Sequence, residues 1–334
     1  MENQPTVSFI VPVRDDAIRL RRCLASILRN QYPPHQREII VIDNGSRDRS
    51  VRVARRAGAR VLTGAGLCVA ELRNLGASAA RGEILAFIDA DHEIDPGWTA
   101  WAAEDLGREA VGAVGAPYLA PPVGTWVQSS FDAMRHRQPG CCEVEWLASG
   151  NMAVWRGDFE RLRGFDTSLE SCEDFDLCQR LRATGRRVLS DDRLKSVHFG
   201  DPDTLRALFL AELWRGRDNL RAGLRGPITL RGLPSLVIPV LELGGLALAV
   251  GGLLTAPDGL ALTLTGPAVL GTFAALRASR MLSHRRVAGP VEAAQDFTVA
   301  CVYDLARALA LVFRASHHQN GRNGRKERSG RNRH

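Results

Sequence analysis

The stretch "EILAFIDAD" (83–91) decides how the first part of the chain is read. Apolar residues run unbroken from Ile84 to Ile88 and then stop at two carboxylates, Asp89 and Asp91. A short continuous apolar run of this kind fits a strand buried on both faces. "TVSFIVPV" (6–13) and "REIIVID" (37–43) repeat the pattern with many β-branched residues, and "ARVLT" (59–63) is a shorter version. Helical patterns lie between them. "DAIRLRRCLASILRN" (16–30) sets Ile18, Leu20, Leu24, Ile27 and Leu28 near helical spacing. "SRDRSVRVARRAG" (46–58) reads as a helix closed by Gly58, and "AELRNLGASAARG" (70–82) as one ending at Gly82. Alternating strands and helices predict an α/β fold around a Rossmann-like, mostly parallel sheet with flanking helices. Ligands of such sheets sit at the carboxyl ends of the strands, which is where Asp43 and Asp89 stand.

Two explanations compete for the paired aspartates. Strands often end at acidic, solvated turns. Alternatively, two hard oxygen ligands hold a divalent cation against a phosphate. The spacing alone leaves both open, because D-x-D occurs three times, at Asp89/Asp91, Asp174/Asp176 and Asp201/Asp203.

With 334 residues the chain can form one large domain or two ordinary ones. Its net charge of +7 is uneven: residues 314–334 carry six Arg and one Lys against one Glu. Seven cysteines, an odd number with no C-x-x-C, suggest reduced thiols rather than a disulfide framework or a zinc site. The segment "MENQPTVSFIVPV" (1–13) lacks a basic start followed by an apolar stretch of signal length, so no secretion signal is expected.

The pattern loosens between 110 and 200 and changes character near 230. "LPSLVIPVLELGGLALAVGGLL" (233–254) has one charge, Glu242, and "GLALTLTGPAVLGTFAAL" (259–276) has none. Each approaches the roughly 20 residues a helix needs to cross a bilayer. A buried hairpin in a soluble domain is the competing explanation. Arg225 and Arg231 precede the pair, Arg277, Arg280, Arg285 and Arg286 follow it, and the connection carries only Asp258. Both outer ends are therefore expected in the cytoplasm. Glu242 is expected to face its partner helix or another protein rather than lipid. "DFTVACVYDLARALALVF" (296–313), interrupted by Asp304 and Arg307, is expected as an amphipathic helix at the interface. The basic tail is expected to be disordered and to meet anionic lipid, at about 1 kcal/mol per basic residue. It has no interleaved aromatics to stack bases, so no nucleic-acid partner is expected. The expected division is residues 1–210, a connecting segment 211–231, a transmembrane hairpin 232–277, a juxtamembrane region 278–313 and the tail 314–334.

"VSFIVPVRDDAIRLRRCLASILRNQ" (7–31), "EIIVIDNGSRDRSV" (38–51), "ELRNLGASAARGEILAFIDADHEIDPGW" (71–98) and "SGNMAVWRGDFERLRGFDTSLESCEDFDLCQRLRATGRRV" (149–188) with "VHF" (197–199) resemble, in order and spacing, the blocks of family 2 inverting glycosyltransferases with the GT-A fold. The resemblance covers residues 6–199 and implies specific roles. Val13 and Asp15 flank the nucleotide's base and ribose, Asp43 meets the base, and Arg73 reaches the base or diphosphate. Asp89 sits near the ribose. Asp91 holds Mg2+ or Mn2+, with His198 close to the metal. Asp174 is the general base that takes the acceptor's proton as its oxygen attacks the anomeric carbon. Asn151 contacts the acceptor, and Glu173 orients the acceptor or the helix start. Each residue also has an ordinary explanation: Asn44-Gly45 alone makes a turn, and acids are favoured where a helix begins.

Processive polysaccharide synthases of the family carry Q-x-x-R-W after the base helix. The corresponding "FLAELWRGRDNL" (209–220) lacks it, so processive polymerisation is not expected. The resemblance implies transfer of a single sugar to a lipid-linked or envelope glycan acceptor from a UDP-sugar, with GDP- and dTDP-sugars left open. The implied location is the cytoplasmic membrane, with the catalytic domain facing the cytoplasm. A sugar nucleotidyltransferase is the alternative enzyme, but the loop after the first strand lacks its glycines. A non-catalytic, membrane-docked nucleotide-sugar binding protein is the other alternative.

Overall fold

A computed structural model describes residues 4–135, 138–225, 229–230, 232–255, 259–283, 285 and 289–313. The basic tail, Arg231, Asp258 and Arg286 lie outside the described residues. The chain opens with β1 (Val7–Val13), α1 (Ala17–Leu28), β2 (Arg37–Asp43), α2 (Ser50–Arg56), β3 (Arg60–Thr63), α3 (Val69–Ala79) and β4 (Ile84–Ile88). Then come β5 (His92–Ile94), α4 (Trp98–Leu106), β6 (Val111–Gly115), α5 (Trp126–Ala133), β7 (Cys141–Glu143), β8 (Asn151–Trp155), α6 (Arg156–Arg161), α7 (Glu173–Ala183), β9 (Arg187–Asp191) and β10 (Ser196–His198). The rest is helical: α8 (Leu205–Arg215), α9 (Asn219–Gly223), α10 (Leu233–Leu254), α11 (Leu260–Ser283) and α12 (Pro290–Leu309).

One eight-stranded sheet, in the order β3-β2-β1-β4-β8-β6-β9-β7, organises the first two hundred residues. The four strands β3, β2, β1 and β4 are mutually parallel. β8 then enters antiparallel between β4 and β6, pairing Ile88 with Asn151. The start of β8 thus meets the carboxyl end of β4. A separate two-stranded ladder sets His198 of β10 opposite His92 of β5.

The central strands are apolar on both faces because helices cover both. Phe9, Val11, Ala86 and Ile88 face one core, and Ile10, Ile40, Leu85 and Phe87 face the other. In α1, which Asp16 caps by accepting the N–H of Arg19, the buried stripe is Leu20, Cys23, Leu24 and Ile27. Ile18 and Leu28, expected on that face, point outward at 71% and 46% exposure. Cys23 takes a place on the buried stripe instead.

α10 and α11 pack together as an apolar hairpin, each long and apolar enough to cross a membrane. A Cβ at Gly252 would lie 2.5 Å from the backbone nitrogen of Thr263, so small residues allow the close approach. Only 28% and 11% of their most apolar windows are buried, unlike the core helix of a soluble protein. Glu242 is 1% exposed, as expected for a residue turned away from lipid, and among the described residues neither of its oxygens has a hydrogen-bond partner. α12 packs on α8 and α5 of the sheet domain and on both helices of the hairpin. Its buried acids take up flanking arginines: Arg277 pairs with Asp304 at 2.6 Å, and Arg285 with Asp296 at 2.5 Å. The expected amphipathic helix thus packs between the hairpin and the sheet domain.

Candidate active site

Parallel register brings the carboxyl ends of β1, β2 and β4 to one edge, with Val13 opposite Asp43. Asp15 has a positive φ of 50° there. Its N–H donates to Ser46 Oγ at 3.0 Å, and its Oδ1 accepts the N–H of Arg47 at 2.7 Å. Asp43 is buried and accepts the N–H of Ser46. The two loops are thus tied into one shelf.

Arg73, at the middle of α3, is 3% exposed and joins this shelf to the far side. Its Nη2 donates to Asp89 Oδ1 at 2.6 Å and its Nη1 to Glu173 Oε1 at 2.8 Å. Burial opposes its charge, but Asp89, Glu173 and Asp174 together raise its pKa above the ordinary value. Glu173 also accepts Ser149 Oγ at 3.2 Å. It is buried in an ion pair that ties α7 to α3.

Asp91, His92 and His198 form a second cluster, whose ligand atoms lie within 4.8 Å of one another. His198 Nε2 is 3.3 Å from Asp91 Oδ2, and its Nδ1 is 2.7 Å from Asp201 Oδ1. His92 Nδ1 is 2.9 Å from Ser196 Oγ. Outer partners of this kind fix ring orientation and leave Nε2 for a metal. Burial opposes charge on His198, but Asp91 and Asp201 push it up to about 10. Burial and the His198 charge push His92 down to about 4, and His198 holds Asp91 below the ordinary carboxylate range despite burial. The space between these groups is kept open by glycines. A Cβ at Gly200 would lie 1.9 Å from Asp91 Oδ2 and 2.9 Å from His198 Nε2, and one at Gly150 would lie 2.5 Å from Asp89 Oδ2. One carboxylate and two imidazoles around such a gap fit a divalent cation.

Asp174 stands in the first turn of α7. Its Oδ1 accepts the N–H of Phe175 at 2.7 Å and its Oδ2 that of Ser149 at 3.3 Å. Burial, with the neighbouring Glu173 charge, pushes its pKa up to about 7. Asp176 differs, since it pairs with Arg180 at 2.7 Å. The second D-x-D is thus split between two environments. Asp201 of the third supports His198.

Asn151, expected to contact the acceptor, is fully buried. Its Oδ1 accepts Trp98 Nε1 at 2.9 Å, and its Nδ2 donates to Ala116 and Leu194 carbonyls at 2.9 and 2.8 Å. Every side-chain atom that could meet a ligand already holds the core together. The buried apolar face of α7 is Leu177, Cys178 and Leu181. His92 was missed by sequence reasoning; its only signal was adjacency to Asp91 at the start of a short strand. Tyr118, edge-on to both histidine rings, and Arg19, whose Nη1 is 3.9 Å from Asp91 Oδ2, carried no pattern at all. A further cluster, Asp105, Cys141 and Asp191, is already neutralised by Arg108 and Arg193.

Residues 8–152 match the family model described as Glycosyl transferase family 2. The chain is 31% identical over 141 residues to Glycosyltransferase AglE of Haloferax volcanii, covering 40% of this chain and 46% of that protein. It is 27% identical over 219 residues to the O-antigen biosynthesis protein RfbC of Myxococcus xanthus, covering 58% of this chain and 17% of that one. The matched part thus spans less than half the length of either relative. Among solved structures it is similar to a mannosyltransferase from Pyrobaculum calidifontis in complex with GDP-Man and Mn2+. There the TM-score is 0.61 at 20% identity, covering 92% of this chain and 87% of that one. At that identity the likeness concerns the GT-A type fold.

Proposed function

With residues 8–152 a domain of glycosyl transferase family 2 as the premise, we propose that the chain is a metal-dependent inverting glycosyltransferase. It moves a single sugar from a nucleotide-sugar, taken to be a UDP-sugar, to a lipid-linked or envelope glycan acceptor. The observation that carries this reading is the pairing of two unlike sites on one sheet edge. A cation cradle of Asp91, His92 and His198 lies on one side of Arg73, and a carboxyl group pushed up to about 7 lies on the other. A bound divalent ion would neutralise charge on the departing diphosphate. The chain's own residues do the rest. The loops of Val13, Asp15 and Asp43 hold the nucleotide, Asp89 lies toward its ribose, and Arg73 faces its base or diphosphate. Asp174 accepts the acceptor hydroxyl's proton on the opposite side.

Attachment to the cytoplasmic face of a membrane through α10 and α11 is part of the same proposal. Its support is the largely unburied apolar surface of the hairpin. The relatives' names agree in kind: one is an O-antigen biosynthesis protein and another a rhamnosyltransferase, WbbL of Escherichia coli. The test is release of nucleoside diphosphate from a panel of UDP-, GDP- and dTDP-sugars, with Mn2+, Mg2+ or chelator, in the presence of extracted membrane lipids. Metal-dependent release from one donor, with the sugar recovered on lipid, is expected. Release of pyrophosphate, or no release from any donor, would overturn the proposal.

A further inference from the structure

The segment just before Asp174 has an unusual local geometry. Cys172, the residue preceding α7, has a φ of 63°, and no side chain caps the helix at that position. A non-glycine residue in this region persists only where its surroundings hold it. The hold comes from the end of α8 and from α9. Asp218, 6% exposed, accepts the N–H groups of Glu170 at 2.8 Å and Ser171 at 3.2 Å through one oxygen. Ser171 Oγ in return accepts the N–H of Asp218 at 3.3 Å. Around this knot, Arg217 pairs with Glu170, Arg221 Nη1 donates to the Ser168 carbonyl at 2.9 Å, and Arg225 pairs with Asp166. The Cys172 thiol lies 3.8 Å from the Arg215 carbonyl.

The same stretch is fastened to the hairpin. Asn219 Nδ2 donates to the Ser235 carbonyl at 2.7 Å, and Leu236 fills the space beside Gly223 so closely that a Cβ there would lie 2.5 Å from it. "WRGRDNLRAGLR" (214–225) overlaps the region where processive synthases carry a motif this chain lacks, and the transfer chemistry gave it no task.

We infer that Asp218 is a positioning residue for transfer: it fixes the Glu170–Cys172 backbone so that α7 presents Asp174, and residues 214–225 carry that hold to α10. The inference rests on the transfer reaction proposed above. Asp218 acts through the backbone it binds, and touches neither nucleotide nor metal ligands. The groups that act most on Asp174 are Glu173 on its own helix and Arg73 of α3; the Cys172 and Cys178 thiols lie nearby, with Arg307 of α12 facing Cys172 and Arg180 and Arg182 of α7 facing Cys178. A change at position 218 removes none of them.

The test uses the full chain in membranes with Mn2+ and a nucleotide-sugar that the unsubstituted enzyme turns over. Asp218→Ala removes the shared acceptor, whereas Asp218→Asn retains one oxygen to accept the same N–H groups. For Asp218→Ala, kcat should fall about 10- to 100-fold while the donor KM stays within about twofold. Amide exchange should rise in 168–176. The rising limb of the pH profile should move to lower pH, because water admitted beside Asp174 lessens its burial. Asp218→Asn should restore most of the rate and the limb. Faster exchange in 168–176 with kcat and limb unmoved would overturn the inference. So would parallel changes in kcat, donor KM and melting temperature, which mark a merely structural brace. If Asp218→Ala does not fold, Arg217→Gln with Glu170→Gln loosens the outer strut, and an unmoved limb there would overturn it too. An unsubstituted chain inactive on every donor would remove the proposed function and this inference with it.

Discussion

Asp91 and Asp174 are both acidic residues at the ends of elements, yet their surroundings push them in opposite directions. Asp91, between two imidazoles, stays ionised and suits a cation. Asp91→Asn should abolish metal-dependent turnover and weaken donor binding. Full activity of that variant in chelator would contradict its assignment. Gly200→Ala should do comparable damage without removing any ligand, because the new methyl would have to occupy the space 1.9 Å from Asp91 Oδ2. Loss of Mn2+ binding, read by titration of the metal alone, checks it. Asp174 is pushed the other way, to about 7, and only its ionised form can take a proton. Transfer should therefore rise with pH and level off above about 7. Asp174→Asn should lower it by roughly 10²–10⁴ and leave donor affinity nearly unchanged. A pH profile flat through this range in the unsubstituted enzyme would exclude Asp174 as the base. The aspartates were visible in the sequence as strand and helix termini. His92 was not, because its role depends on β10 pairing with β5 from a hundred residues away.

At the scale of elements, the first ninety residues were legible because each strand is a short apolar run and each helix has a local stop signal. The part from 110 to 200 was not. Nothing local in "NMAVW" (151–155) says that it runs antiparallel between β4 and β6. That placement buries Asn151 and makes it a core residue. α12 was legible as a helix, but its packing partners were not, for a related reason. Its charges look like interruptions of an apolar helix until the partners are known. Asp296 is fully buried against Arg285, so Asp296→Ala strands a guanidinium in the interior. Removing one member of a buried pair costs about 3–5 kcal/mol, and the melting temperature should fall by several degrees. Replacing both members with apolar residues of similar volume should recover much of that loss. A melting curve unmoved by the single substitution would mean that α12 does not depend on this pair.

For the whole molecule, the hairpin and the sheet domain form a continuous body through α12, α8 and α9. If α10 and α11 span a bilayer, the chain should remain with membranes after a high-salt wash, since the hold is hydrophobic and is not screened. Removing residues 314–334 should leave it there. Release of the intact protein by salt would place the hairpin in a soluble setting. The outward-facing apolar residues were legible as two long runs. The ion pairs at their ends were not: Arg225, Arg277 and Arg285, expected as topology signals, are each bonded to an aspartate of the folded protein.

Arg73 joins two carboxylates far apart in the sequence, Asp89 just after β4 and Glu173 at the start of α7. For the proposed transfer reaction, a guanidinium shared between two carboxylates predicts ordered binding. A diphosphate bound at the shelf would draw on the same positive charge that holds Glu173, so the surroundings of Asp174 would reach their working electrostatics only with the donor in place. Steady-state kinetics should show a compulsory order with the donor first. The nucleoside diphosphate should then inhibit competitively against the donor and noncompetitively against the acceptor, and Arg73→Lys, which cannot grip both carboxylates at once, should turn that order random.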